Sequence, residues 1–399
     1  MRGALVAVAA MAIAAASSSC RTSHDDGDRP RIRADRSAAS VVSSARPNAR
    51  APRILFVRVV DGTQRLFAAP ADGSAEPTRV LSELPGAVRH ARTIGDGRVA
   101  LVLVAEPAGA RFALYRVDID DEAVRLGPKI AGDLPDTLVS VSDDGSTALL
   151  TESTSKATQT VFVLRPKESP KPLEITLFRH FAGGDVLEDG SAAVIGGTPV
   201  TCTGPVAACP MEVWRARFAS GSVKLEPIAT GGTDASSARY LPRFWPGSAG
   251  ARIVYQSTEY DPSTACMRDL NRCRHDLLVY DDGAGGGLFH AHAVGASFSR
   301  FGAHLAFMDP DEPETKCTGL PCATCSLYVG DRDSAEFKRI APGEVWILGA
   351  HAWSRDEQWI AWTKRGGVDP KLPNEVRVAR ADGSSLHTVG EGTAQGWIR

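Results

Sequence analysis

Apolar positions along most of this chain come in short runs, either alternating with polar residues or unbroken, and never in a sustained 3.6-residue rhythm. Clear examples are "RVALVLV" (98–104), "TALLT" (147–151), "AAVIG" (192–196), "RIVYQ" (252–256), "HLAFM" (304–308) and "WIAWT" (359–363). Each is followed by a second run in matching register: "FALYRVD" (112–118), "TVFVLR" (160–165), "EVWRAR" (212–217), "DLLVYD" (276–281), "SLYVGD" (326–331) and "EVRVAR" (375–380). Runs of about five to seven residues, rich in Val, Ile, Leu, Tyr and Phe and bounded by Gly and Asp, predict strands. After residue 52 the pattern predicts no helix.

A turn precedes each first run. "VSVSDDGSTALL" (139–150) reads as strand, tight turn, strand, and the same plan recurs. The turns are "TIGDG" (93–97), "VSDDG" (141–145), "VLEDG" (186–190), "FWPGS" (244–248), "FSRFG" (298–302) and "WSRDE" (353–357). Their leading residues are Thr93, Val141, Val186, Phe244, Phe298 and Trp353, separated by 48, 45, 58, 54 and 55 positions. A partial copy, "QGWIR", places Trp397 another 44 on. The Asp-Gly steps at 96/97, 144/145 and 189/190 read as turn chemistry, supplying the positive φ that a tight hairpin requires.

Four strands per unit at this period predict an all-β chain, a β-propeller of four-stranded antiparallel blades. One blade cannot bury both apolar faces alone, whereas radial stacking buries both and leaves only short edges. "RILFVR" (53–58) matches a second strand and "RLFAA" (65–69) a third, so the chain enters partway through a blade. "AQGWIR" (394–399) matches an innermost strand. The expected closure is the C-terminal strand completing the N-terminal blade. The count is seven blades, or six if the degenerate unit at 180–230 is parsed differently.

The turns resemble the WSPDG motif of the TolB-type Pro-Asp propeller repeat, which is related to WD repeats. "HAWSRDEQWIAW" (351–362) followed by "VRVARADGSSLHTV" (376–389) carries the resemblance best, and the Pro of the motif is absent from nearly every other copy. The resemblance implies a β-propeller over about 53–399, usually in the bacterial envelope and mostly serving as a protein-interaction scaffold. A minority of such propellers are attached to serine peptidases or act as lyases. Fold alone does not fix function.

The first fifty residues follow other rules. Met1-Arg2-Gly3, an apolar run from Ala4 to Ala16 and "SSSC" (17–20) have the plan of a secretory signal peptide. The position of Cys20 resembles a lipobox, in which the Cys becomes the lipidated first residue, although Ser17 stands where Leu is usual. Secretion with cleavage after the Ala/Ser run, and Cys20 incidental, is the competing expectation. The segment that follows is rich in Arg, Ser, Asp and Ala, and it buries too little apolar surface to offset its ordering entropy. The expected organisation is a signal peptide (1–19), a tether (20–51) and a propeller (52–399). A net charge of −2 gives no electrostatic footprint for nucleic acid.

Seven of the eight cysteines lie between 197 and 325, in the loops joining second and third strands of three consecutive units. Cys202/Cys209 and Cys266/Cys273 are each seven apart, which in an exported protein predicts two local disulfides. By analogy Cys317 pairs with Cys325 or Cys322, leaving one thiol over. A zinc site on the last three, or a redox pair at 322/325, is disfavoured by the oxidising compartment and by a loop setting without a helix. In a propeller these loops share one face with the blade-to-blade connections. The face is expected to bind a partner through Tyr260, Asp261, Arg268, Asp269, Arg272, Arg274, Asp311, Glu312 and Glu314, unless these are solvated insertions.

Catalytic motifs are missing from the sequence. There is no G-x-S-x-G elbow, P-loop or dinucleotide fingerprint, and "GAGGG" (283–287) reads as a flexible turn between strands. His290 and His292 read as a surface pair, and His351 as a channel-lining residue. No cofactor and no metal are expected. The resulting expectation is a non-enzymatic, monomeric propeller, exported to the periplasm or held at the outer membrane by a lipid anchor alone. It would bind an envelope protein or a cell-wall component. The alternative is an enzyme acting on a glycan or peptide from the central channel, favoured if three or more His, Asp, Glu or Arg side chains converge there.

Overall fold

The computed structural model describes residues 51–399, except 82–83, 108–110, 121–123, 153–158, 204–208, 220–221, 231–236, 260–273, 292, 311–324, 333–335, 345, 348, 350–351 and 365–372. Cys20, the signal segment and the tether therefore lie outside the described residues. The described strands form seven antiparallel sheets of four strands each, arranged as the blades of a propeller. The count of seven stands and the alternative of six falls, because 178–229 forms a full four-stranded blade.

The blades are lettered A to G around the ring. The innermost strands are Thr393–Ile398 (A), Val88–Ile94 (B), Thr137–Val141 (C), Phe178–Val186 (D), Ser237–Phe244 (E), Val294–Phe298 (F) and Trp346–Ile347 (G). In blade G the expected inner strand at Trp353 is reduced to an isolated bridge with Ile360, and the longer pairing falls at Trp346–Ile347. Blade A takes its inner strand from the C-terminus. Trp397 pairs with Ile54 and Ile398 with Arg53, which closes the ring by hydrogen bonding.

The core lies between blades, and strand alternation explains why. In Arg53–Val60, Ile54 and Phe56 pack toward blade G with Trp359, Val376 and Val378, while Leu55 and Val57 pack toward blade B with Val88, Val102 and Val117. The latch repeats the split, with Trp397 on the G side and Ile398 on the B side. Second strands, covered on both faces, are almost wholly apolar; Ala192–Pro199 is buried along its whole length. Two indoles bond across blade boundaries: Trp353 Nε1 donates to the Ser297 carbonyl (3.0 Å) and Trp397 Nε1 to the Ala352 carbonyl (2.8 Å).

The first turns do what their residues predict. Gly97, Gly145, Gly190 and Gly302 close them with φ between 68° and 76°. In blade G that position is Glu357, at φ 56°, a conformation that costs a non-glycine residue about 1 kcal/mol. Its carboxylate accepts the Phe301 N–H of the neighbouring turn at 2.8 Å, so the strained residue also ties blade G to blade F.

Candidate functional site

Antiparallel blades place first turns at one end of the channel and the cysteine-bearing loops at the other. Cys202 and Cys209 form a disulfide, with Cα atoms 5.9 Å apart, beside the loop of blade D. Among the described residues at that end of blade E, a polar cluster joins Tyr240 to the buried Gln256, Thr258 and His275, with Thr258 Oγ1 and His275 Nδ1 at 2.8 Å. The other expected binding and disulfide positions, Tyr260, Asp261, Cys266, Arg268, Asp269, Arg272, Cys273, Asp311, Glu312, Glu314, Cys317 and Cys322, lie outside the described residues. So do His292 and His351. Arg274 and Cys325 are corrected from loop to strand, because they open Arg274–Asp281 and Cys325–Asp331. His290 is part of the packing, its ring centroid 4.4 Å from that of Phe307 and 5.2 Å from that of Phe337.

The first-turn end holds a cavity of about 170 Å³ at the mouth of the central channel. The leading turn residues of all seven blades line it: Thr93, Val141, Val186, Phe244, Phe298, Trp353 and Trp397. Four consecutive blades thus give it an aromatic side. The third residue of the turn lines it in six blades, as Gly95, Asp143, Glu188, Pro246, Arg300 and Arg355. This is where the related motif carries Pro, and only Pro246 keeps it. Backbone bonds fix part of the rim: Gly95 N–H to the Asp143 carbonyl (2.6 Å) and Asp143 N–H to the Glu188 carbonyl (3.0 Å).

Sequence reasoning treats Asp143 and Asp144 alike, and the structure separates them. Asp144 is turn chemistry: its Oδ1 accepts the Ser142 hydroxyl and the Ser146 N–H, each at 2.8 Å. Although burial works to raise it, those bonds hold its carboxyl below the ordinary range. Asp143 instead faces the cavity and pairs with Arg300 Nη2 at 2.9 Å. Its carboxyl is pushed up by burial, with Arg300 opposing. Glu188 is pushed up by burial and by Asp143. Asp144→Ala is expected to cost about 1–2 kcal/mol, since it strands two donors. Asp143→Asn is expected to cost at most about 1 kcal/mol, the worth of a half-exposed pair. Urea unfolding of the two variants checks this order.

Arg300 reaches across the ring. Its Nη1 donates to the Gly95 carbonyl of blade B at 2.8 Å while Nη2 holds Asp143 of blade C. Its guanidinium bars the mouth. Below lie Asp185 and Arg243, also lining the cavity. Asp185 accepts the Ser140 hydroxyl (2.8 Å) and the Phe244 N–H (3.2 Å), and burial pushes its carboxyl up against the pull of Arg243. Deeper still, Arg92 bonds only to carbonyls and to Gln395, and burial, with Arg243 nearby, lowers it to about 10.

No family model matches the sequence, and no curated protein matches it. Similar solved structures include an oligogalacturonate lyase from Vibrio parahaemolyticus, 10% identical with a TM-score of 0.54, over 82% of this chain and 86% of that one. A functionally unknown protein from Desulfotomaculum acetoxidans is 11% identical with a TM-score of 0.51, over 87% of this chain and 98% of that one. TolB from Acinetobacter baumannii is 13% identical with a TM-score of 0.43, over 87% of this chain; the match spans 66% of that protein, just under two thirds. At these identities the likeness shows the fold alone, and that fold is the one the turn motifs imply.

Proposed function

We propose that this is an exported, non-enzymatic binding propeller of the cell envelope, and that its principal ligand site is the cup at the channel mouth. One observation carries the reading. Six blades send their first turn to the cup and the seventh sends Trp397, and where the related repeat has Pro, two carboxylates and two guanidiniums line it instead. Charged side chains converging in a half-enclosed cavity with an aromatic side are the ordinary makings of a ligand site. Asp143, Asp185, Glu188, Arg243, Arg300 and Arg355 converge there. That arrangement favours the alternative of an enzyme acting on a glycan or peptide from the channel, so the alternative stands as the second reading. Against it, the two serine hydroxyls of the lining are engaged. Ser299 Oγ accepts the His304 N–H at 2.9 Å, and Ser354 Oγ donates to Asp356 at 2.5 Å and accepts the Trp359 N–H at 2.9 Å. The described lining residues include no histidine or cysteine.

The test is a thermal-shift screen of acidic, basic and neutral small molecules and short peptides against the wild type and Pro246→Trp, which fills the rim. Ligands that raise the wild-type Tm and lose that effect in the filled variant are expected. If every hit stabilises both proteins equally, the cup is not the site. The opposite face is a second proposed surface, favoured by the Cys202–Cys209 disulfide. There the loop residues of blades D to F would hold an envelope protein or a cell-wall component.

A further inference from the structure

We propose that the cup recognises a carboxylate attached to a small apolar group, with Arg355 and Arg300 as its receptors and Arg300 as a displaceable bar across the mouth. The proposal rests on the reading of the cup as the ligand site and names what enters it.

Three observations point to an anion. Arg355 lines the cup, and its Nη1 is buried with no hydrogen-bond partner among the described residues. A buried donor left unmade is costly, and a guanidinium cannot shed its charge to relieve the cost. The acceptor it lacks is one a ligand can bring. Second, permanent positive charge lies beneath the cup. Among the described residues, Arg243 Nε has no hydrogen-bond partner and Arg92 finds only neutral acceptors. Burial raises the carboxyls of Asp143, Asp185 and Glu188, and it lowers Arg92 and Arg243 as well. A ligand carboxylate therefore meets guanidinium donors both at the rim, on Arg300 and Arg355, and beneath it, on Arg243. Third, the ion pair that holds Arg300 is exchangeable. Asp143, the carboxylate within ion-pair distance of it among the described residues, is half-exposed, and such a pair is weak and easily exchanged, while the Gly95 carbonyl keeps the other end of the guanidinium in place. A guanidinium fork matches a carboxylate at two points, so an entering carboxylate can replace Asp143 without loss of geometry.

The apolar group follows from the wall on the same side. Arg300 and Arg355 rise from blades F and G, and Phe298, Trp353 and Trp397 line the cavity in blades F, G and A. At about 170 Å³ the cup admits one side chain with its carboxylate. Both a free carboxylic acid and the C-terminal residue of a peptide present that chemistry.

Calorimetric titration of the full chain with N-acetyl-phenylalanine, its carboxamide, and a pentapeptide ending in Phe as acid or amide tests the proposal. Both acids are expected to bind and both amides to bind at least about tenfold more weakly, the worth of one lost charge-assisted bond. Arg355→Gln is expected to weaken the acids by about the same factor. Asp143→Asn is expected to tighten them several-fold because it frees Arg300, a gain that damage to the fold cannot produce. The charged groups facing Asp143 are Arg300, Asp144 and Glu188. Lowering the pH should act in the same direction as Asp143→Asn for as long as the ligand's own carboxylate stays ionised, since Asp143 and Glu188 are both raised. A peptide acid tighter than the single residue identifies a chain terminus as the source, and equal affinities identify a free acid; either supports the proposal. Equal binding of acids and amides, or wild-type affinity in Arg355→Gln, overturns it. If the screen with Pro246→Trp yields cup ligands that are only neutral or cationic, the cup reading stands and this proposal fails alone.

Discussion

Deleting residues 393–399 is expected to abolish cooperative folding, although it removes only one short strand. Those residues are the inner strand of blade A, and three neighbouring elements depend on them. The pairing with Arg53–Val60 is lost, leaving an open sheet edge inside the channel, the kind of edge that invites aggregation. Gln395 Oε1 accepts the Ala91 N–H of blade B at 2.9 Å, and the Thr363 hydroxyl of blade G accepts the Ala394 N–H at 3.0 Å, so blade B loses a buried bond and blade G a partly buried one. Trp397 and Ile398, about 4% and 2% exposed, leave cavities on both faces of the blade. Trp397→Ala alone should cost about 3–5 kcal/mol, a large share of the roughly 5–15 kcal/mol by which a domain is stable. Urea unfolding followed by tryptophan fluorescence and size-exclusion chromatography would read the result. The decisive control is a circular permutant joining Arg399 to residue 51 through a short linker and opened at Pro135-Asp136. It keeps the pairing while moving the ends, so it should retain wild-type stability. If the deletion still unfolds cooperatively at the wild-type midpoint, the latch does not close the ring.

Much of this architecture is legible in the sequence because propeller blades repeat their turn chemistry locally. Thr93, Val141, Val186, Phe244, Phe298, Trp353 and Trp397 count the blades, since each sits at the same step of a strand–turn–strand unit that needs no distant partner. The match of "AQGWIR" to an inner strand likewise foretells the latch. The cup is harder to read. Gly95, Asp143, Glu188, Pro246, Arg300 and Arg355 stand 45 to 58 positions apart and meet only when the ring is shut. Asp143 is masked by its neighbour, because an Asp-Asp-Gly turn explains both acids at once while only Asp144 makes the turn bonds. The available signal is the register itself: a motif position that should be Pro holds charged residues at 143, 188, 300, 355 and 399. Side chains such as Arg92 and Asp185 are illegible for another reason. They sit on inner strands among residues of every type, and their burial depends on channel width rather than on any local pattern.

Arg215→Ala is the second substitution expected to damage the fold heavily, and it acts far from the cup. Arg215 lies in the third strand of blade D, Glu212–Ala219, with about 5% of its side chain exposed. It joins two blades. Nε and Nη2 donate to Glu226 Oε2 of its own blade at 3.1 and 3.0 Å. Nη1 and Nη2 donate to the two oxygens of Asp282 in blade E at 2.9 and 3.0 Å, and Nη1 also donates to the Gly250 carbonyl at 2.8 Å. Burial alone would lower this guanidinium, but the Asp282 and Glu226 carboxylates hold it above its ordinary value. Breaking a buried pair typically costs about 3–5 kcal/mol. Arg217 and Lys224 still reach Glu226 here, and Arg217 Nη2 still reaches Asp282 at 3.4 Å, so the expected loss is about 2–4 kcal/mol, dominated by the two short Asp282 bonds and the Gly250 contact. The pH dependence separates this from a simple cavity. Lys224 and Arg217, with Arg215, hold the Glu226 carboxyl down to about 2, against an ordinary 4.5. A depressed acid stabilises the fold above its unfolded value and loses that contribution as the pH falls through its folded one. Wild-type stability should therefore decline between about pH 4.5 and pH 2 more steeply than that of Arg215→Ala, which has already given up part of the interaction. Urea midpoints across that range check the slopes. Parallel slopes, or a loss that Asp282→Asn in the same chain does not reduce, would show that Arg215 fills space rather than clamping blades D and E.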